Sequence, residues 1–139
     1  MARARRLDPE LLHASVDGEW SFIQTLRHLV FATDSWIRRV MLGDPYPWDA
    51  LDLPFDQMRE TPGVPWDRAA RPSLDEVLAL RRSRMATMRQ VLGDLTDATL
   101  ESHTVPVTEI GWPVSESYPV RECLRCILYA ERDLAALTS

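Results

Sequence analysis

The sequence has no lysine, only two cysteines and no long hydrophobic run. All 16 basic residues are arginines, which excludes mechanisms that depend on a lysine Schiff base or on a Walker-type phosphate-binding lysine. No segment approaches the roughly 18 consecutive apolar residues that a membrane-spanning helix needs. A glycine-rich phosphate loop and a Gly-x-Ser-x-Gly nucleophile motif are also missing. The common nucleotide-hydrolysing and serine-hydrolase classes are therefore not supported.

The composition is that of one ordinary globular domain covering residues 1–139, with 45% hydrophobic and 27% charged residues. A net charge of -5 argues against nucleic-acid binding, which usually needs a basic face. The basic start of the chain has no apolar segment behind it, so it does not resemble a secretory signal. We therefore expect a cytoplasmic protein with neither a nucleic-acid nor a membrane partner.

Apolar residues that recur every three or four positions predict an all-α fold. A short helix is expected over residues 8–14, and long helices over 21–42, over 73–92 and from 119 or 120 onward. Ser73 and Glu76 form a capping-box pattern, and Gly43 and Gly93 are typical helix ends. Residues 43–72 contain many prolines and aromatics, which predicts an ordered crossover packed over the helices. Residues 103–119 favour a loop over a two-stranded ribbon.

His28 is the first candidate for a functional side chain. An advance of about 100° per residue places it opposite the core stripe centred on Leu26, on the side that also carries Trp20, Gln24 and Phe31. A solvated surface histidine is the alternative, but aromatic neighbours favour a covered or ligand-binding surface. Trp20, Gln24 and Phe31 are therefore the candidates for a ligand pocket, while Asp34 is interpreted as part of a solvated helix face.

Cys123 and Cys126 form a Cys-x-x-Cys pair on the last predicted helix. A redox pair normally lies at a helix N-terminus after a strand, and a zinc site of this kind needs a second pair. Both cysteines occupy positions of the apolar stripe, so buried small hydrophobic residues are the favoured interpretation. A redox helix is kept as a weaker alternative. His13 and His103 are interpreted as surface residues.

The segment Asp17-Gly18-Glu19-Trp20-Ser21-Phe22, continuing through Arg27-His28 to Asp34, resembles the DinB-like family. Pro72–Val77, Pro119–Leu124 and Tyr129–Leu134 also resemble segments of that family, so the similarity covers most of the chain. The resemblance implies a four-helix bundle of up-down-down-up order with one long crossover. It also implies relatedness to thiol-dependent transferases, in which a divalent metal such as zinc or nickel activates a low-molecular-weight thiol such as mycothiol or bacillithiol.

The resemblance assigns His28 to the position of the first metal ligand. The family's other two ligands, usually histidines, come from the last helix, and here that helix contains no histidine. The first long helix of the family is reduced to the region around Asp8–Ala14. A bundle that lacks one helix exposes apolar surface, so we expect a homodimer.

Two functional hypotheses follow from these features. The first is a metal-dependent, thiol-dependent transferase with His28 as a ligand and a degenerate metal site. The second is a non-catalytic helical protein that acts through dimerisation or by binding a small hydrophobic molecule beside Trp20, Phe31 and the crossover.

Overall fold

The computed structural model describes residues 9–14 and 20–138. The helices of this part of the chain are α1 (Pro9–Leu12), α2 (Phe22–Thr33), a π-helical segment (Asp34–Met41) that continues α2, α3 (Leu74–Asp94), α4 (Asp97–Leu100) and α5 (Val120–Thr138). No strand occurs among the described residues, which confirms the all-α class. None of these helices is both long enough and apolar enough to cross a bilayer.

The helix α2 begins with a capping box. Ser21 Oγ accepts a hydrogen bond from the Gln24 backbone N–H at 3.1 Å, and Gln24 Oε1 accepts one from the Ser21 N–H at 3.0 Å. The helical path ends beside Gly43, which adopts a φ of 80°. The predicted helix 21–42 is confirmed in extent, but its change to π geometry at Asp34 was not predicted. Eight residues make about two helical turns, too few for apolar spacing to separate the two geometries.

Ser73 caps α3, since its Oγ accepts a hydrogen bond from the Glu76 N–H at 3.1 Å. Leu74, Val77 and Met88 are buried as predicted. Leu92 is 51% exposed, so its assignment to the buried stripe was wrong. Val91, three residues after Met88, packs against the core instead, because the stripe advances there by three positions rather than four.

The stretch between α4 and α5 is a loop, as favoured from the sequence. Its only ladder contact among the described residues is an isolated bridge between His103 and Pro119. The Thr104 N–H donates to the Tyr118 carbonyl at 2.8 Å beside that bridge. This pairing brings the two ends of the loop together at the start of α5.

The helix α2 and its π-helical extension lie between α3 and α5 and contact both. One core cluster joins α1, α2 and α3 and consists of Leu12, Ile23, Leu26, Leu29, Leu74, Val77 and Leu78. A second cluster, at the other end, consists of Ala32, Ile37, Met88 and Ile127. The described residues thus contain three long helical rods and a one-turn α1. The four-helix, up-down-down-up arrangement stays a prediction.

The crossover, residues 43–72, contains no helix. It is attached by arginines of α2 and its π-helical extension, which together form one continuous rod over residues 22–41, the central rod. Arg27 is completely buried and donates to the carbonyls of Leu51, at 2.7 Å, and Asp67, at 2.6 Å. Arg38 donates to the Pro47 carbonyl at 2.7 Å. These bonds satisfy backbone acceptors that a helix-free segment cannot satisfy within itself. The predicted ordered crossover is therefore confirmed.

Candidate functional site

His28 lies half-buried on α2, under the crossover. Its Nδ1 is 2.9 Å from the carbonyl oxygen of Leu53, so Nδ1 carries the proton and donates it to that oxygen. The imidazole meets the Trp20 ring edge-on at a centroid distance of 4.5 Å and stacks on Phe31 at 5.9 Å. The ring is thus fixed on two sides by aromatic groups and at one nitrogen by the crossover backbone.

The structure brings together three of the four residues selected from the sequence. Trp20 and Phe31 flank His28, as their shared side of the helix predicted. That side is not open, because Phe31 is almost completely buried beneath neighbouring loops. Gln24 is used in the capping box with Ser21. A ligand-binding role for Trp20, Gln24 and Phe31 stays a prediction.

An aromatic cluster extends from His28 to rings of the crossover and of the 103–119 loop. Phe31 stacks on Trp112 of the 103–119 loop at 5.3 Å, and Phe55 of the crossover meets Trp112 edge-on at 5.2 Å. Trp20 also donates from Nε1 to Asp56 at 3.1 Å. Rings from the helix and both loops therefore fill the space beside the imidazole.

The residues around His28 do not fit the three-ligand metal centre that the family resemblance implies. Within residues 9–14 and 20–138, no three His, Cys, Asp or Glu side chains are grouped so that they could hold a metal ion. Burial raises the pKa of the completely buried Cys123 thiol to about 11 and also raises the pKa of Cys126. Thiols bind metals and react as thiolates, so these values argue against a metal or redox role at neutral pH.

Two acidic residues that the sequence did not indicate as functional candidates are completely buried, one on the central rod and one on the crossover. Asp34 lies at the start of the π-helical segment and Asp52 lies on the crossover. The interpretation of Asp34 as part of a solvated face was wrong. It follows Val30 by four positions and precedes Ile37 by three, so it lies in the apolar stripe, and that spacing was the available signal.

A cleft lies in the crossover rather than beside His28. It has a volume of about 800 Å³, and its lining consists of Pro54 and residues 58–66. Trp66 contributes an exposed indole, and Met58 and Val64 contribute apolar surface. Arg59 contributes a positive charge and Glu60 a negative one. Gly63 shapes this cleft, because its φ of 82° and its close approach to the Tyr46 ring would strain a larger residue.

Comparisons with known proteins give one result. A family model described as the DinB superfamily matches residues 1–133. Neither the curated proteins nor the solved structures contain a match.

Proposed function

Because the chain belongs to the DinB superfamily, we propose that it keeps the family's helical scaffold with a degenerate metal centre and acts by binding a small molecule. The observation that carries this proposal is the packing of His28. Its imidazole lies between Trp20 and Phe31 and holds the Leu53 carbonyl through Nδ1. His28 is the one residue that the family resemblance assigns to a metal-ligand position, and here its imidazole binds the backbone of the crossover.

The neighbouring contacts support a docking role. The Leu53 N–H donates to the Arg27 carbonyl at 3.3 Å, one residue before His28, so a second hydrogen bond joins the same two segments. Leu53 is itself completely buried. The crossover is therefore attached to α2 through both the N–H and the carbonyl of Leu53, and His28 provides one of these two hydrogen bonds.

The crossover cleft is the proposed binding site. A volume of about 800 Å³ is within the range of small-molecule sites, which combine apolar walls with a few polar groups. Trp66 offers a face for stacking, and Arg59 offers a cation that pairs with an anionic group. Glu60 also lines the cleft, so the lining contains one charge of each sign. We infer that the ligand is a small aromatic or apolar molecule whose acidic group pairs with Arg59.

The binding proposal is tested with 1-anilinonaphthalene-8-sulfonate, an aromatic anion that fluoresces in apolar sites. We expect saturable binding to the folded protein, weakened at least tenfold in Trp66→Ala and severalfold in Arg59→Ala. Arg82→Ala on α3 is the matched control and leaves the Kd unchanged. Unchanged affinity in Trp66→Ala would contradict the assignment of the site.

A metal-dependent transferase that uses a low-molecular-weight thiol is the second candidate, and one contact favours it. A neutral histidine whose Nδ1 donates to a backbone carbonyl has its lone pair on Nε2, which is the arrangement found in metal-ligating histidines. This candidate requires two more ligands and a divalent ion such as zinc or nickel.

Calorimetric titration with zinc and with nickel separates the two candidates. If the metal centre is degenerate, as proposed, we expect wild type and His28→Ala to bind the same number of metal equivalents. His103→Ala is the matched control, because His103 is exposed at the bridge to Pro119. One equivalent of metal, lost in His28→Ala and retained in His103→Ala, would refute that proposal and support the transferase.

A further inference from the structure

Asp34 and Asp52 meet inside the protein with unequal partners. Asp34 Oδ1 lies 3.1 Å from Arg38 Nη1, a hydrogen-bonded ion pair. The same oxygen lies 2.6 Å from Arg84 Nε, an ion pair without good hydrogen-bond direction. Neither carboxyl oxygen of Asp52 receives a hydrogen bond from a donor group of the described residues, and neither does Asp34 Oδ2. Two cations thus serve Asp34. The carboxyl of Asp52 lies within reach of the Asp34 carboxyl, and the facing oxygens of both groups lack a donor.

Two ionised carboxylates cannot share a hydrogen bond, because neither has a proton to donate. A fully buried carboxylate that lacks both a hydrogen-bond donor and a direct ion-pair partner is among the most costly groups a protein can contain. Asp52 is such a group, because the nearby Arg84 is paired with Asp34 and Arg27 donates to the carbonyls of Leu51 and Asp67. One added proton between the two carboxyls removes both problems, since it neutralises one acid and forms the missing hydrogen bond.

We propose that the Asp52 carboxyl is protonated and donates a hydrogen bond to the Asp34 carboxylate. This hydrogen bond, which we call the latch, attaches the crossover to the central rod. The residues on either side of Asp52 are also attached to α2: the carbonyl of Leu51 accepts from Arg27, and the carbonyl of Leu53 accepts from His28. Loss of the proton places two negative charges in contact and weakens the attachment at the point where the crossover covers His28.

The charged groups around Asp52 come from every segment that packs there. Asp34 and Arg38 come from the π-helical segment, Arg84 from α3, Arg27 from α2 and Asp49 from the crossover. Burial is the main cause that raises the pKa of Asp52 far above its usual range, and the contact with Asp34 adds to it. The nearby Arg84 charge opposes this rise without cancelling it, because Arg84 is already paired with Asp34.

A raised folded-state pKa means that the native protein binds this proton more tightly than the unfolded chain does. The stabilisation is complete below the unfolded value of about 3.9 and is lost as the pH rises toward the folded value. Across this window, each pH unit lowers the folding equilibrium constant about tenfold relative to a variant without the titrating group, which corresponds to about 1.4 kcal/mol.

Asp52→Asn tests the proton directly, because its side-chain amide donates to Asp34 at every pH. Urea unfolding is measured for both proteins from pH 5.5 to 8.5. The ratio of the variant's folding constant to that of wild type should grow about tenfold per pH unit. Glu60→Gln, an exposed acid of the same crossover, is the matched control and should give a constant ratio.

A pH-independent ratio for Asp52→Asn would refute the shared proton, and so would a ratio that falls with pH. A variant that fails to fold at neutral pH would also refute it, because the proposal predicts stabilisation there. Trypsin tests the latch, since Arg59 and Arg68 are exposed crossover cleavage sites. Between pH 7 and 9, wild type should become progressively more sensitive than Asp52→Asn at the same pH. Equal sensitivity throughout would refute the latch.

Discussion

Arg39 is almost completely buried, and its guanidinium joins three backbone carbonyls. Nη1 donates to Pro45 at 2.8 Å, Nη2 to Glu109 at 2.7 Å and Nε to Pro113 at 3.3 Å. Its charged group also lies over the Trp48 ring, with the central carbon 5.7 Å from the ring centroid. Burial lowers the pKa of this arginine, and the carbonyl oxygens compensate for the water that it has lost. One side chain therefore joins the crossover and the 103–119 loop.

Gly111→Ala tests how closely the loop must approach Arg39. An added Cβ would lie 2.7 Å from Arg39 Nη1 and 2.9 Å from the Trp48 ring. We expect a loss of about 1–3 kcal/mol in the free energy of unfolding, the usual cost of overpacking a dense contact. Gly93→Ala is the control, because nothing lies within 4 Å of its added Cβ and alanine favours helices. Equal effects of the two substitutions in urea unfolding would contradict this close contact.

Cys123 provides a prediction about chemical reactivity. Burial raises the pKa of its thiol to about 11, so at pH 8 the folded protein contains almost no Cys123 thiolate. Folded Cys126→Ser should therefore react with Ellman's reagent at least a hundredfold more slowly than the same variant in guanidinium chloride. A rapidly reacting Cys123 in the folded protein would revive the redox interpretation of the Cys-x-x-Cys pair.

At the scale of the element, arginines of α2 and its π-helical extension donate hydrogen bonds to the backbones of the crossover and the 103–119 loop. The extension positions Asp34 against Arg84 of α3 and presents Arg38 and Arg39 to neighbouring loop backbones. Wider helical turns are frequently found where side chains serve functional contacts. The same rod therefore forms the core with one set of residues and secures the loops with another.

The capping box at the start of α2 gives a prediction for this element. Ser21→Ala removes the Oγ that accepts from the Gln24 N–H, and Ser21 is itself buried. We expect a loss of about 1 kcal/mol, up to about 2, in the free energy of unfolding. Ser83→Ala, at an exposed position within α3, should change stability by less than about 0.5 kcal/mol. A loss for Ser21→Ala no larger than that for Ser83→Ala would contradict the capping role.

Local signals predicted the helices well. Ser21, Ser73 and Gly43 act through hydrogen bonds or backbone conformation within a few residues, so their effects are readable from the sequence. Leu92 was misassigned, because the side of a helix that is buried in its last turns depends on its partners. Intrinsic periodicity does not contain that information. The π-helical segment was missed, because its eight residues are too few for apolar spacing to distinguish the two helix types.

For the whole molecule, the sequence predicted the all-α class, the superfamily and the aromatic neighbours of His28. The Asp34–Asp52 contact could not be predicted, because these residues meet only after the crossover folds over the central rod. The Leu53 carbonyl contact was missed for the same reason. Both depend on the tertiary path of a helix-free segment, which sequence spacing does not determine.

The predicted homodimer is tested at this scale. The helix α5 buries Cys123 and Ile127, whereas Leu128 is 65% exposed. We expect sedimentation velocity to show a concentration-dependent dimer, because association would remove such apolar surface from water. Leu128→Glu should shift the equilibrium to monomer, while Val105→Glu, at an exposed loop position, should not. A monomer at every concentration would contradict this prediction.

The attachment of the loops through main-chain carbonyls has a consequence for sequence change over evolution. Arg27, Arg38 and Arg39 recognise peptide oxygens, which every amino acid provides. Loop residues such as Asp67 and Glu109 can therefore be replaced while their carbonyl contacts persist, whereas loss of one arginine releases several contacts together. A saturation mutagenesis map should show a few intolerant positions on the central rod beneath two permissive loops. Such a division allows the crossover cleft to acquire new ligand preferences while the scaffold is maintained.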